Sequence, residues 1–155
     1  KGILLSGEFG RNSESSIAIS YLLRNYSGIA VLTKDTLDLL SSEMQHISKR
    51  PNTILVCSYS QLQKIAKELH DDVAFKYGDE LVEVVKHLHK FTNDHSLSIV
   101  TKHGNYLIAS HAGEVATTPR EDLKDLWCLE KSTRIAVAAI QNSNKIFQAL
   151  TSCLY

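Results

Sequence analysis

The residues best suited to chemistry lie near the start of the chain. Ser6-Gly7-Glu8-Phe9-Gly10-Arg11 follows the apolar run Ile3-Leu4-Leu5, and either Asn12 or Ser13 can cap a helix beginning at Glu14. Gly7 and Gly10 let the backbone approach a ligand without a Cβ in the way, and the free N–H groups of a helix start favour an anion. Arg11 adds a guanidinium suited to bidentate phosphate binding, or is simply a surface residue. The loop is therefore a candidate phosphate- or nucleotide-contacting turn, although an ordinary strand-to-helix connection is the more economical reading of these residues alone. The spacing is neither a dinucleotide fingerprint nor a P-loop, since no Gly-Lys-Ser/Thr follows. Further candidates are Asp35, Ser58, Lys102 and Gly104, each at the end of an apolar run or in a turn. Asp35 serves equally well as a helix cap, and Lys102 as a solvated turn residue. His87 and His89 are two apart, so they point to different helical faces and cannot jointly chelate a metal. Trp127 reads as a packing residue.

Stepping out from these positions, the whole chain of 155 residues is long enough for one domain with a sizeable core. Lysine plus arginine number 17, as do aspartate plus glutamate, which leaves no electrostatic pull toward a nucleic acid polymer or an anionic membrane. No apolar run approaches the ~20 residues that span a bilayer, and no secretory leader is visible. The opening Lys1 points to a segment that precedes it. Cys57, Cys128 and Cys153 are odd in number and widely spaced, with no Cys-x-x-Cys pair. They read as buried thiols of a reducing, cytoplasmic compartment.

The elements that position the candidates alternate. Ile3-Leu4-Leu5 is expected as a buried strand, followed by a helix stopping near Asn25 with Gly28 as the break. Ile29-Ala30-Val31-Leu32 suits a central parallel strand covered on both faces. A short helix over Lys34 to Leu40 follows, then a strand over Thr53 to Cys57. Ser60 is expected to cap a helix from Gln61 to about Leu69, and a longer amphipathic helix starts near Asp79. Leu97–Thr101, Asn105–Ala109 and Glu114–Thr117 are too close together for parallel crossovers, so they should run antiparallel to their sequence neighbours. The last third is helical, from about Leu123 to Gln141 and again from Asn144 onward. The class is α/β: a three-layer sheet with a parallel core and an antiparallel extension. In such sheets ligands bind outside the carboxyl ends of the strands, where the candidates fall.

In order and spacing these motifs resemble the ADP/ATP-dependent NAD(P)H-hydrate dehydratases of the ribokinase-like carbohydrate kinase superfamily. Ser6-Gly7-Glu8-Phe9-Gly10-Arg11 is similar to that family's Gly-Pro-Gly-Leu-Gly-Arg loop, keeping the last glycine and the arginine. Thr33-Lys34-Asp35-Thr36-Leu37-Asp38 stands against Asp-Ala-Asp-Ala-Leu-Asn, and Val56-Cys57-Ser58-Tyr59-Ser60-Gln61 against Thr-Pro-His-Pro-Gly-Glu. Ile99-Val100-Thr101-Lys102-His103-Gly104 resembles the Val-Val-Leu-Lys-Gly hairpin. The likeness covers nearly the whole chain but starts partway into the family's domain, so residues 1–155 would form a single ribokinase-like domain lacking two to three N-terminal elements.

The resemblance implies ADP or ATP as nucleotide, with Mg accompanying it, and a nicotinamide-type small molecule as the other ligand. Gly7, Gly10, Arg11, Asp35 and Ser58 would face that substrate, and Lys102 and Gly104 the nucleotide. The family's Gly-x-Gly-Asp loop has no counterpart, because Asp125-Leu126-Trp127-Cys128-Leu129-Glu130-Lys131-Ser132 contains no glycine. Glu130 stands where the aspartate would be. Side chains bearing a Cβ should not reproduce the close backbone approach to phosphate, so weak or lost catalysis is expected. A non-catalytic nucleotide-binding or interaction module is the second reading, and an unrelated flavodoxin-like domain the third. Homo-oligomerisation is left open by the sequence.

Overall fold

Short apolar runs become strands: β1 (Gly2–Leu5), β2 (Ile29–Thr33), β3 (Thr53–Cys57), β4 (Leu97–His103), β5 (Tyr106–His111) and β6 (Glu114–Pro119). Segments of helical period between them become α1 (Ser13–Asn25), α2 (Asp35–Leu39), α3 (Met44–Ile47), α4 (Tyr59–Glu68), α5 (Leu81–Asp94), α6 (Trp127–Gln141) and α7 (Ile146–Ser152). The computed structural model describes residues 1–7, 12–121 and 127–155.

The six strands form one sheet in sequence order, β1-β2-β3-β4-β5-β6. The first four are mutually parallel, while β5 and β6 are added antiparallel. β4 departs from expectation: it is antiparallel to β5 but parallel to β3, because α4 and α5 supply the long crossover that a parallel pair requires. This sequential order excludes a flavodoxin-like sheet, whose order is 2-1-3-4-5.

Right-handed crossovers that always step the same way put every connecting helix on one face. Accordingly, side chains of α1 to α5, such as Leu23, Leu37, Met44, Leu62 and Leu88, share one core with Leu32, Leu55 and Ile99 of the sheet. On the opposite face Val31, Val56 and Leu107 pack against Ile135, Ala139 and Leu150 of α6 and α7. β2 and β3 are buried throughout, as their unbroken apolar sequence demands. β1 is only half-buried along its length, because it is the edge of the sheet and not an interior strand.

Of the two expected cap residues it is Asn12 that caps α1, its Oδ1 accepting from the Ser15 N–H at 2.8 Å, so the helix begins at Ser13. The cap of α4 is Ser58 and not Ser60, so the helix starts at Tyr59. Ser58 and Gln61 satisfy each other's backbone amides in a capping box, a pairing that needs the Ser-x-x-Gln spacing. The expected start of α6 near Leu123 falls at residues 122–126, outside the described residues.

Arg50 ties the amino ends of the strands together. Its guanidinium donates to the carbonyls of Leu23 (3.2 Å), Tyr26 (2.6 Å) and Gly28 (2.5 Å) and to Thr53 Oγ1 (3.0 Å). It thereby supplies partners to carbonyls at the end of α1, which has no further turn to accept from them. Cys57, Cys128 and Cys153 are buried free thiols. No helix among the described residues is long and apolar enough to cross a membrane.

Candidate functional site

The pairing registers align the carboxyl ends of the parallel strands. Leu5 lies opposite Leu32, Thr33 opposite Val56, and Cys57 opposite Thr101. The residues that leave these strands, Gly7, Asp35 and Ser58, and Lys102 near the end of β4, therefore form one row. At about 4.8 Å per strand the row is about 14 Å long.

Within that row the backbone is fixed by buried hydroxyls. Thr33 Oγ1 donates to the Val56 carbonyl at 2.7 Å, and Thr36 Oγ1 to the Leu5 carbonyl at 3.2 Å. Lys34, between β2 and α2, has φ 52° and ψ −134°, a conformation that side chains with a Cβ rarely adopt. The strained turn is held from the neighbouring helix, where Gln61 Nε2 donates to the Lys34 carbonyl at 3.1 Å. Asp35 is thus the first residue of α2 and not its cap, and no side-chain cap is made there.

Asp35 opens onto a cleft of about 540 Å³ between the start of α1, α2 and α4, lined also by Asn12, Asp38, Lys64 and Glu68. Asp38 is engaged there by Gln61 Nε2 at 3.1 Å and Lys64 Nζ at 3.4 Å. Asp35 is exposed and has no partner among the described residues. Gly7 has φ +151° with open space where a Cβ would sit, and does not line this cleft. Gly10 and Arg11 lie outside the described residues.

Lys102 alternates with Thr101 and His103, so it points to the α6–α7 side of the sheet while they point to the α4–α5 side. Lys102 and Ser58 do not line the Asp35 cleft. Gly104, with φ +54°, begins the two-residue turn that joins β4 to β5. Glu130, in the first turn of α6, is 60% exposed and paired with Arg134 at 3.1 Å along its own helix.

Two juxtapositions at this edge were not foreseen from the sequence, although the burial of the thiols was. The first is aromatic: Tyr59, at the start of α4, has its ring centroid 4.4 Å from His103, 5.7 Å from Tyr77 and 6.1 Å from Phe75. Its hydroxyl donates to the Lys76 carbonyl at 3.2 Å. Burial, reinforced by the Asp79 carboxylate, pushes the Tyr59 phenol up to about 12. No local pattern announces this cluster, because it joins residues 16 to 44 positions apart. The second is sulfur. Burial pushes the Cys128 thiol up to about 11, against the Lys34 charge and the Thr33 hydroxyl, which favour the thiolate. Cys57 is shifted upward as well, first by burial and then by Cys128. Neither thiol is a ready nucleophile at neutral pH.

No protein-family model matches the chain, and no curated protein matches its sequence. Its backbone does match a crystal structure of a ribokinase-like superfamily protein from Enterococcus faecalis V583, with a TM-score of 0.56 at 13% sequence identity. The fold is ribokinase-like. The match covers 99% of this chain and 62% of the bacterial one, so the chain spans less than two thirds of that protein's length. At this identity the likeness reaches the superfamily's fold and stops short of the dehydratase family.

Proposed function

We propose that this ribokinase-like domain is of the NAD(P)H-hydrate dehydratase kind and binds its ligands along the carboxyl edge of the sheet, with weak or lost catalysis. On this reading a nicotinamide-type nucleotide sits in the Asp35 cleft, with Ser58 beside it, and ADP or ATP lies on the Lys102 and Gly104 side. The observation that carries the reading is Asp35, an exposed carboxylate without a partner among the described residues, in the same cleft as the Asn12 cap that follows the glycine loop. A free carboxylate accepts hydrogen bonds from ligand hydroxyls, and a lysine on the opposite face of the same strand row suits phosphate oxygens. The three buried thiols fit a reducing compartment such as the cytoplasm.

The full reaction would move the terminal phosphoryl group of ATP onto the hydroxyl of the hydrated ring, leaving ADP. Loss of that phosphate together with a ring proton then restores the double bond. Such a sequence needs a carboxylate at the hydroxyl and amides aimed at the developing anion. Glu130 fits the first role poorly, being exposed and paired with Arg134, and residues 127–132 are the glycine-free start of α6, with no turn to aim amides for the second. Among the described residues no three His, Cys, Asp or Glu side chains are grouped to hold a metal. Mg would therefore arrive on the nucleotide's phosphates and not in a protein cage.

Two measurements test the reading. ADP or ATP, with and without Mg, should raise the melting temperature by several degrees at a hundredfold excess over Kd. Conversion of hydrated NADH to NADH, followed by absorbance, should be slow and indifferent to Glu130→Gln. Absence of any nucleotide shift at millimolar concentration removes the binding reading. Robust turnover abolished by Glu130→Gln removes the claim of lost catalysis.

A further inference from the structure

Residues 70–80 join α4 to α5 without helix or strand. They run as a strap from His95, just before β4, to His103 at the far end of that strand. Val73 and Phe75 anchor the middle by burial, and Gln63 Nε2 of α4 donates to the Phe75 carbonyl at 2.8 Å. Toward each end stands an aspartate that faces a histidine of α5. At the first, Asp71 Oδ2 lies 2.6 Å from His95 Nε2, and Asp71 Oδ1 accepts from the Val73 N–H at 2.7 Å. That pair is closed, and the single N–H of a neutral imidazole is enough to close it.

The second pair is open. Asp79 Oδ2 accepts from the Lys76 N–H at 2.9 Å but lies 3.5 Å from His87 Nδ1, beyond the ~3.2 Å reach of a good N–H···O bond. His87 Nδ1 is buried and makes no hydrogen bond among the described residues, and the Asp79 side chain is only 10% exposed. A proton on both ring nitrogens makes Nδ1 a donor whatever the tautomer, and gives the carboxylate a cation. No other charge on the page competes for the pair. Phe75 meets the His87 ring edge-on, and Glu83, one turn back on α5, accepts from the Glu80 N–H. Lys76, Lys86 and Lys90 are exposed. Tyr59 of α4 faces Asp79 as a phenol that stays protonated through the neutral range. His103 of β4 lies 2.8 Å from the Asp79 carbonyl, not its carboxylate. On β5, His111 pairs with Ser98 on the opposite face of the sheet, while His89 is engaged by the Gly113 carbonyl and Glu114 of β6 is exposed.

We propose that Asp79 and His87 form a proton-operated latch on this strap. Uptake of a proton by His87 closes the pair and draws residues 76–79 onto α5; loss of the proton frees them. The Asp71–His95 pair holds the other end in both states. The strap is therefore shut on the acid side of the histidine range and loose on the alkaline side. The latch lies at the carboxyl edge of the sheet, where Tyr59 Oη donates to the Lys76 carbonyl and the Tyr59 ring packs against Tyr77 and His103. Release bares Tyr59 and His103 beside Ser58. The inference stands on the geometry of the strap and does not depend on any ligand.

The test is amide hydrogen exchange of the chain from about pH 5.5 to about pH 8, expressed as protection relative to the intrinsic rate at each pH, with the His87 ring nitrogens followed by NMR. The reporters are the Lys76 and Asp79 amides, which bond to Asp79 Oδ2 and to the Lys76 carbonyl. Their protection is expected to fall about tenfold as pH rises, the worth of a hydrogen bond to a charged group, in step with deprotonation of His87. His87→Gln should abolish that dependence and His95→Gln should keep it. Protection that ignores pH, moves out of step with the His87 signals, or falls equally in β2 and β3 overturns the proposal. So does a dependence that survives His87→Gln. The titration of the unaltered chain decides the matter by itself if a variant does not fold.

Discussion

β6 and β1 close the same sheet at opposite ends, and they meet their surroundings with different chemistry. β6 reads Glu-Val-Ala-Thr-Thr-Pro, with Glu114, Thr117 and Pro119 exposed, so its outer edge is charged and interrupted. It is also tied to α5. Gly113 donates its N–H to Thr92 Oγ1 at 3.1 Å and its carbonyl lies 2.5 Å from His89 Nδ1, while the Thr92 and Ser110 hydroxyls are 2.7 Å apart. Among the described residues β1 has none of these devices. Its half of the sheet is held from below by Arg50 and from within by apolar burial. The antiparallel end is finished by local hydrogen bonds, whereas the parallel end closes on an uncharged, half-buried strand.

The largest effect should come from Arg50. Arg50→Met leaves several carbonyls at the end of α1 and the start of β2 without donors, and should cost about 3 kcal/mol or more by urea denaturation. A loss under about 1 kcal/mol would mean that the parallel half does not depend on this clamp. Next is Thr92→Val, nearly isosteric, which removes the buried hydroxyl linking α5 to Ser110 and Gly113. It should cost ~1–2 kcal/mol and speed amide exchange in β6 selectively. Uniform loss of protection across the sheet would show that β6 is not separately anchored.

Two backbone substitutions should act in opposite directions. Gly113→Ala places a Cβ at φ +82°, 3.4 Å from the His89 ring, and should cost ~1 kcal/mol. Lys34→Gly relaxes the strained turn after β2 and should raise stability by ~1 kcal/mol in thermal melts, partly offset by unfolded-state entropy. A destabilised Lys34→Gly would mean that the lysine side chain, and not strain, governs that turn.

The smallest expected effect is a pH dependence at the antiparallel end. Burial lowers the pKa of His111 against the opposing pull of Glu114, and its Nδ1 lies 2.8 Å from Ser98 Oγ. Below the ordinary histidine range the unfolded chain takes up this proton more readily than the folded one. Stability from His111 is therefore full above pH ~6.5 and falls as the solution is acidified below it. The slope of stability against pH between 7 and 5 should shrink in His111→Gln. An unchanged slope would assign the acid sensitivity to other groups.

What could be read in the sequence follows from how locally each feature is encoded. Ile29–Thr33 and Thr53–Cys57 are unbroken apolar runs, and such runs have few other homes than a sheet covered on both faces. Asn12 announced its helix because an N-cap is decided within three residues. Ser58 and Ser60 could not be separated by type, and the reciprocal partner Gln61 decides between them. The two directions of β4 depend on a crossover of two helices, which no window over the strand contains. The short helix α3 and the 3-10 turn at Ser41–Glu43 have no period long enough to detect.

The candidate site divides the same way. The strand ends, and with them Asp35, Ser58 and Lys102, were legible from apolar runs that stop. The orientation of Lys102 away from the Asp35 cleft depends on strand alternation. The positive φ of Lys34 leaves no mark in a residue type that rarely tolerates it.

The strand order has a consequence for how the protein is made. Because each strand is laid beside the one before it, and α1 to α5 always return to the same face, synthesis through Pro119 yields the whole six-stranded sheet with one side clothed. Ile29, Val31, Ile54, Val56, Val100, Leu107 and Ala109 await α6 and α7, which follow the sheet in the chain. A nascent chain interrupted there presents a broad apolar plane, the kind of surface on which chaperones act and aggregates nucleate. Residues 127–155 therefore carry the helices that cover this plane.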